Sequence, residues 1–343
     1  MYNGTFRSED VTLLLNNITG LIQPKPTEER ERLIQSGVHY SEMLPMEYVP
    51  SDLYIREYER VLNDFSGETA EAVMAVSEKI YSEKRGLVIL VSLARAGTPA
   101  GILIKRYLEK KYFIKIPHYT ISIVRGRGID ENAMQFIIEN HYAEEIQFVD
   151  GWTGKGAILD ELSAAVTPFV GEQDKRKLLA VIADPANITD ICGTHDDIPI
   201  ASSFLNSTVC GLMSRTIIRP GIKPDEFHGV SFYKDLRGED RTYEFIQRIE
   251  KYFTDAGLTG MDEVKEIAAH FKIGDINFIK PGIGEATRVL LRRVPDMVLI
   301  AENAEEKPVA HLVQLAKEKD VPIIRYPLRR YLACGIIKNL ADS

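Results

Sequence analysis

The stretch Glu145-Ile146-Gln147-Phe148-Val149-Asp150-Gly151-Trp152-Thr153-Gly154-Lys155-Gly156-Ala157-Ile158-Leu159 decides the fold of this chain. A short apolar strand ends in the carboxylate of Asp150, passes through a tight loop of Gly, Thr and Lys, and enters a helix. Strand, glycine-rich loop and helix N-terminus is how α/β proteins build anion sites, because the unpaired amides of the first helical turn and the helix dipole both face the loop. Thr153 supplies a hydroxyl, Gly154 and Gly156 admit backbone close to a ligand, and Lys155 brings a point charge, so a phosphate is the natural guest. An ordinary β-α turn is the plain alternative. Two nucleotide signatures fail: a Walker A loop needs Gly where Val149 stands and a hydroxyl where Gly156 stands, and Gly-X-Gly-X-X-Gly cannot be laid over the segment.

The flanking pattern alternates strand and helix. Upstream, a helix with Ala70, Val73, Val76 and Ile80 leads to the apolar run Leu87–Val91. The loop Ser92–Thr98 follows, then a helix opened by Pro99, which suits a first helical position. A strand at Tyr119–Val124, the basic loop Arg125-Gly126-Arg127-Gly128 and a helix near Glu131–Asn140 come next; downstream, the strand Leu178–Ala183 ends in Asp184-Pro185. Such alternation predicts right-handed β-α-β units in a parallel sheet, with the loops after Val91, Val124, Val149 and Ala183 crowding its carboxyl edge. Residues 1–69 read as an extension with one helix, Ser51 to Phe65, preceded by the polar segment Gly37–Pro45 as a connector or a cover. Residues 70–260 hold the α/β unit, its irregular 184–260 part closing on a helix near Tyr243–Phe253, and Gly257 and Gly260 mark a boundary. Residues 261–343 repeat the strand-helix pattern as a small α/β/α sandwich.

Composition sets limits. With 343 residues, 45% apolar and 27% charged, the chain can bury two full cores. A net charge of −8 argues against coating by nucleic acid at large, yet residues 262–343 carry 13 basic against 12 acidic side chains, so the acidity lies elsewhere. No apolar run reaches the roughly 20 residues that span a bilayer, and no signal-peptide core opens the chain. Cys192, Cys210 and Cys334 form neither a disulfide framework nor a spaced metal motif, which points to a reducing cytoplasm.

The Asp150–Gly156 loop resembles the phosphoribosyl diphosphate (PRPP) signature of type I phosphoribosyltransferases, with Gly151 in place of a second acid. The Ser92–Thr98 loop resembles the pyrophosphate loop of the same enzymes, in its Arg-Ala-Gly form. The resemblance implies a type I phosphoribosyltransferase-like sheet with an irregular hood. It implies catalysis by Asp150, Arg95 and Lys155, the phosphate held by Thr153, Gly154, Lys155 and Gly156, and pyrophosphate by Ser92, Arg95, Ala96, Gly97 and Thr98. A flexible loop with Arg125 and Arg127 would close over PRPP and Mg2+, the acceptor being an unknown base or nucleoside-like molecule.

In the C-terminal part, Lys280-Pro-Gly-Ile-Gly-Glu-Ala-Thr-Arg, Val-Leu-Ile-Ala-Glu302-Asn, Val-Pro-Ile-Ile and Ala-Cys-Gly335 resemble the pelota RNA-binding fold. That resemblance implies contact with structured RNA through Lys280, Gly284, Glu285 and Arg288. Together with Phe6 and His39-Tyr40-Ser41-Glu42, the whole chain resembles a bacterial family found with tellurite-resistance and stress genes, which carries two labels: phosphoribosyltransferase and cysteine protease StiP.

Three readings follow: a PRPP-dependent transferase, a cysteine protease using Cys192 or Cys210, and an inactive nucleotide- or RNA-binding regulator. Cys192 and His195 are close in sequence, but neither lies at an apolar strand–helix junction, and Cys210 in Val-Cys-Gly-Leu reads as a small core residue, so the transferase is the leading expectation. A homo-oligomer is left open.

Overall fold

The computed structural model describes residues 3–218, 223, 225–255, 260–302 and 304–340. Its contacts fall into two compact units, Met1–Ala256 and Gly257–Ser343; the expected boundary residue Gly257 lies outside the described residues.

In the first unit the strands are β1 (Thr12–Leu13), β2 (Asn16–Asn17), β3 (Ile89–Ala94), β4 (His118–Val124), β5 (Gly128–Ile129), β6 (Ile146–Trp152), β7 (Leu179–Ala183), β8 (Cys192–Thr194) and β9 (Gly229–Val230). The main sheet runs β1-β4-β3-β6-β7-β8, all parallel, with β5 turned back antiparallel on β4. The expected parallel sheet is therefore present. Its strands are buried on both faces, and successive side chains feed opposite cores. Leu90, Val149, Ala180 and Ile182 face one cluster, while Val91, Phe148, Leu179 and Val181 face the other.

The first face is covered by α2 (Asp52–Glu83), α3 (Gly97–Tyr112) and α7 (Thr242–Glu250), the second by α4 (Glu131–Asn140) and α5 (Ala157–Val170). Short helices α1 (Thr27–Gln35) and α6 (Lys175–Leu178) complete the unit. Where the sequence suggests two helices around residues 51–65 and 70–80, α2 is one helix of 32 residues. Ser51 caps it by accepting from Tyr54 N–H, and Gly67 does not interrupt it. Tyr58, Val61, Leu62, Val73, Val76 and Ile80 recur at helical spacing and are buried. Each such aliphatic contributes about 1.5–3 kcal/mol. The hydroxyls of Ser66 and Ser77 turn back onto the carbonyls of Leu62 and Val73, so these two buried hydroxyls stay bonded.

The N-terminal residues are tied in by charge. Asp10 takes both ends of the Arg106 fork at 2.8 Å and the Tyr243 hydroxyl at 2.7 Å. Burial opposes its charge, but these partners hold the carboxyl below its usual range.

The second unit has α8 (Gly260–His270), β10 (Ile279–Pro281), α9 (Ile283–Arg292), β11 (Pro295–Ala301), α10 (Glu306–Glu318), β12 (Ile323–Tyr326) and β13 (Ala333–Ile337). The sheet order is β10-β13-β11-β12. Buried residues of α9 and α10 pack on one face and those of α8 on the other, giving the expected α/β/α sandwich.

Strand β8 is held tightly against α2. A Cβ on Gly193 would lie 2.2 Å from the Ala72 carbonyl oxygen and 2.6 Å from that of Ile182, both backbone atoms that cannot swing away. Gly193→Ala is expected to destabilise the protein by about 1–3 kcal/mol, read as a lowered thermal midpoint against the wild type.

Candidate active site

Strand register brings three chemically active side chains together at the carboxyl edge of β7 and β8. Val181 pairs with Cys192 and Ala183 with Thr194. The next residue on each chain, Asp184 and His195, therefore meets the other, and Asp184 N–H donates to Thr194 O at 2.9 Å. Cys192 lies at the start of β8 and His195 just past its end, where the chain turns the imidazole back beside the sulfur. The ring nitrogens lie 3.5 Å (Nε2) and 3.7 Å (Nδ1) from Cys192 Sγ.

The backbone decides the tautomer. His195 Nδ1 is 2.9 Å from the Asp184 carbonyl oxygen, which can only accept, so Nδ1 carries the proton and Nε2 is left as the unprotonated nitrogen beside the thiol. An Asp184 carboxylate oxygen lies 3.7 Å from Nδ1, close enough to stabilise an imidazolium. Asp184 is fully buried yet well bonded. Thr153 Oγ1 donates to one oxygen, and the N–H groups of Ile188 and Thr189 donate to the other at 2.8 and 2.9 Å. Nucleophile, base and orienting group are thus within reach of one another, the arrangement that thiol catalysis requires.

The Cys192 sulfur is buried, and desolvation pushes its pKa up while Lys79 pulls it down. Lys79 Nζ, on α2, stands 3.9 Å from the sulfur and 3.5 Å from Asp190 O. A thiol raised by burial keeps its proton at rest. The His195 side chain is 49% exposed, so the pair opens to solvent on the imidazole side. Beside it lies a cavity of about 110 Å³ lined by Trp152, Thr153, Pro185, Asp197, Ile198 and Ile200, residues that flank Asp184 and His195. Cys210 differs: burial in the apolar core pushes its thiol up to about 12, and no imidazole bonds it among the described residues. Cys334, likewise buried on β13, is also pushed up to about 12.

The sequence-derived phosphate loop forms beside the expected pyrophosphate loop, a Cβ on Gly151 lying 3.6 Å from Ala96 O. Arg125, Asp150, Thr153, Gly154, Lys155 and Gly156 line a second cavity of about 110 Å³, and Gly156 adopts φ +91° ahead of α5. Asp150 is pushed up to about 7 by burial, against one hydrogen bond from Gly151 N–H. The expected pyrophosphate loop is committed to the fold. β3 continues to Ala94, so Ser92 is a strand residue whose hydroxyl bonds His118 at 2.8 Å. Thr98 Oγ1 bonds Thr120, and Ala96 is the residue before α3. Gly97 is needed for packing, since a Cβ there would meet Val149 O at 2.4 Å. The Arg95 guanidinium pairs with the buried Glu47 carboxylate and donates to Met213 O.

Nor is the Arg125–Gly128 segment a free lid. It is the turn of the β4–β5 hairpin, closed by Glu161, whose carboxylate accepts from Gly126 N–H at 2.7 Å and Gly128 N–H at 2.8 Å. Arg127 pairs with Glu42 at 2.6 Å, while Tyr40 accepts from Arg125 N–H. The His39–Glu42 segment is therefore a clamp on that hairpin. In the second unit Lys280 lies on β10, and Gly284, Glu285 and Arg288 lie on the first turns of α9, Arg288 paired to Glu285 at 2.7 Å.

Sequence reasoning saw Cys192 and His195 but missed Asp184 and Lys79. The apolar strand ending in Asp184 was the available signal; the register that sets it opposite His195 was not. Lys79→Met is expected to shift the pH profile of Cys192 alkylation upward, since the thiolate loses its neighbouring positive charge, while Cys210 and Cys334 stay unreactive in the folded protein. Peptide mapping after iodoacetamide treatment at a series of pH values checks this.

Residues 4–250 match the family model described as tellurite-like stress resistance cysteine protease StiP, and residues 258–339 match the PELOTA RNA binding domain. A curated protein of Acinetobacter baylyi named Cysteine protease StiP is 34% identical, the match covering all of this chain and 96% of that protein. These findings overturn the transferase expected from the loops: both the family and the relative carry the cysteine-protease name. PRPP and Mg2+ entered only as that reaction's substrate and metal.

Proposed function

The chain belongs to the StiP family of tellurite-like stress resistance cysteine proteases, and from that premise we propose that Cys192, His195 and Asp184 hydrolyse peptide bonds by thiol catalysis. The observation that carries the reading is the unprotonated His195 Nε2 standing 3.5 Å from Cys192 Sγ, with Nδ1–H held by the Asp184 carbonyl.

In the first half-reaction Nε2 takes the thiol proton as sulfur adds to the scissile carbonyl carbon. The tetrahedral adduct collapses, the C–N bond breaks, and the proton on Nε2 passes to the leaving amine, leaving an acyl thioester on Cys192. In the second, Nε2 takes a proton from water as its oxygen attacks the thioester carbon. The C–S bond breaks, a carboxylic acid leaves, and sulfur recovers its proton. Asp184 is the positioning residue: its carbonyl fixes the tautomer and its carboxylate offsets the imidazolium formed in each half. Lys79 supplies positive charge beside the sulfur as it develops thiolate character. The cavity between Trp152 and Ile200 offers a place for a substrate side chain, and its volume suits a small one.

Cys192→Ala is expected to abolish hydrolysis, and His195→Ala to lower kcat by about 10²–10⁴. The assay uses the full chain, unfolded protein substrates and peptide mixtures, with new termini read by mass spectrometry. Hydrolysis that survives Cys192→Ala sinks the proposal.

The second unit we propose to bind RNA, on the strength of its match to the PELOTA RNA binding domain. Lys280 and the basic residues of α9, Arg288 and Arg292, are the cations offered to phosphate. Lys280→Ala and Arg288→Ala are each expected to weaken binding of structured RNA and to reduce the salt slope of the affinity by about 1; titrations at several salt concentrations measure it. An unchanged slope in both variants removes α9 and β10 from the interface.

A further inference from the structure

We infer that Cys192, His195 and Asp184 also form a binding site for a thiophilic divalent cation, zinc foremost, which reversibly blocks the thiol. The three side chains offer one sulfur, one imidazole nitrogen and one carboxylate oxygen, all within 4.8 Å of one another, and no other such group occurs among the described residues. Four-coordinate zinc holds sulfur at about 2.3 Å and nitrogen at about 2.0–2.1 Å, which sets the sulfur–nitrogen edge of a tetrahedron at about 3.5 Å. Cys192 Sγ and His195 Nε2 stand 3.5 Å apart. The pair therefore sits at the spacing that a shared zinc ion requires, and because Nδ1 lies 3.7 Å from the same sulfur, the half-exposed ring tilts to aim the Nε2 lone pair at the ion.

The surroundings favour the same guest. A metal-bound imidazole usually donates its other N–H to a carbonyl or carboxylate, which fixes the ring. His195 Nδ1–H already does so toward Asp184 O at 2.9 Å. One thiolate and one carboxylate together balance a divalent charge, so burial of the ion would not leave it unpaired. Binding releases the thiol proton to solvent. The fourth position falls to water on the open side, where the His195 side chain is 49% exposed. Lys79 Nζ, 3.9 Å from the sulfur, is at the end of a flexible chain and turns aside as the cation arrives. Sulfur and oxygen beside one imidazole select zinc or cobalt over magnesium or calcium.

The ion would take both the sulfur and the lone pair that accepts its proton, so hydrolysis stops while it is bound. That consequence rests on the proteolytic reading; the binding itself does not. The full chain, stripped with chelator and dialysed, is titrated with Co2+. A near-ultraviolet thiolate-to-cobalt charge-transfer band with the visible bands of a four-coordinate ion is expected, and Zn2+ should displace both. Cys192→Ser should remove the charge-transfer band, and His195→Gln should weaken binding by about tenfold or more, each variant first shown to melt like the wild type. A band absent from the wild type, or retained in Cys192→Ser, overturns the inference. If the band appears and peptide hydrolysis is never detected, the metal site stands and the protease reading fails. If hydrolysis is detected and stoichiometric Zn2+ leaves it untouched, the inference fails and the protease reading stands.

Discussion

A carboxylate buried without solvent must be compensated by hydrogen bonds or opposite charge, and Asp184 satisfies that demand in a way that assembles its surroundings. Its carboxylate gathers Thr153 from the glycine-rich loop and the amides of Ile188 and Thr189 from the turn before β8. Its own N–H and carbonyl tie β7 to Thr194 and His195. One residue thereby shapes the loop after β6, the turn after β7 and the imbalance between the two imidazole nitrogens. Without it Cys192 and His195 would be near in sequence but not set for proton transfer.

This explains how a loop with the composition of a phosphate cradle serves a different site. Thr153 is drawn toward Asp184 instead of being left for a ligand, and Arg95 is drawn toward Glu47. Both residues have the right chemistry for phosphate, but each answers a buried carboxylate first, because an unpaired buried charge costs more than a lost contact to a free anion. The resemblance of the two loops to a transferase was a statement about local sequence and sheet position. Function lives in the arrangement of particular side chains, and a parallel sheet hosts many chemistries.

The carboxyl edge of the sheet was legible from sequence as the place to look, since alternating strands and helices leave ligand sites only there. Cys192 and His195 were also visible as neighbours. The reason they were set aside, the lack of a strand–helix elbow, presumes that a nucleophile must sit on the turn after a strand. Here the proposed nucleophile is the first residue of the short edge strand β8, and the proposed base comes from the turn after it. Cys210, by contrast, was readable as a core residue from Val209 and Leu212 around it, and the apolar cluster holds it.

By itself the sequence determined two α/β units, most of the strands of the main sheet, the core stripes of its helices and the family to which the whole chain belongs, because periodicity and local motif are properties of neighbours along the chain. Tertiary structure alone decided that Ser92, Thr98 and Arg95 bond His118, Thr120 and Glu47, that α2 is one continuous helix, and that Asp184 and Lys79 join Cys192 and His195. Those outcomes depend on strand register and on which buried charges find one another. Both are fixed only when residues tens of positions apart are packed together.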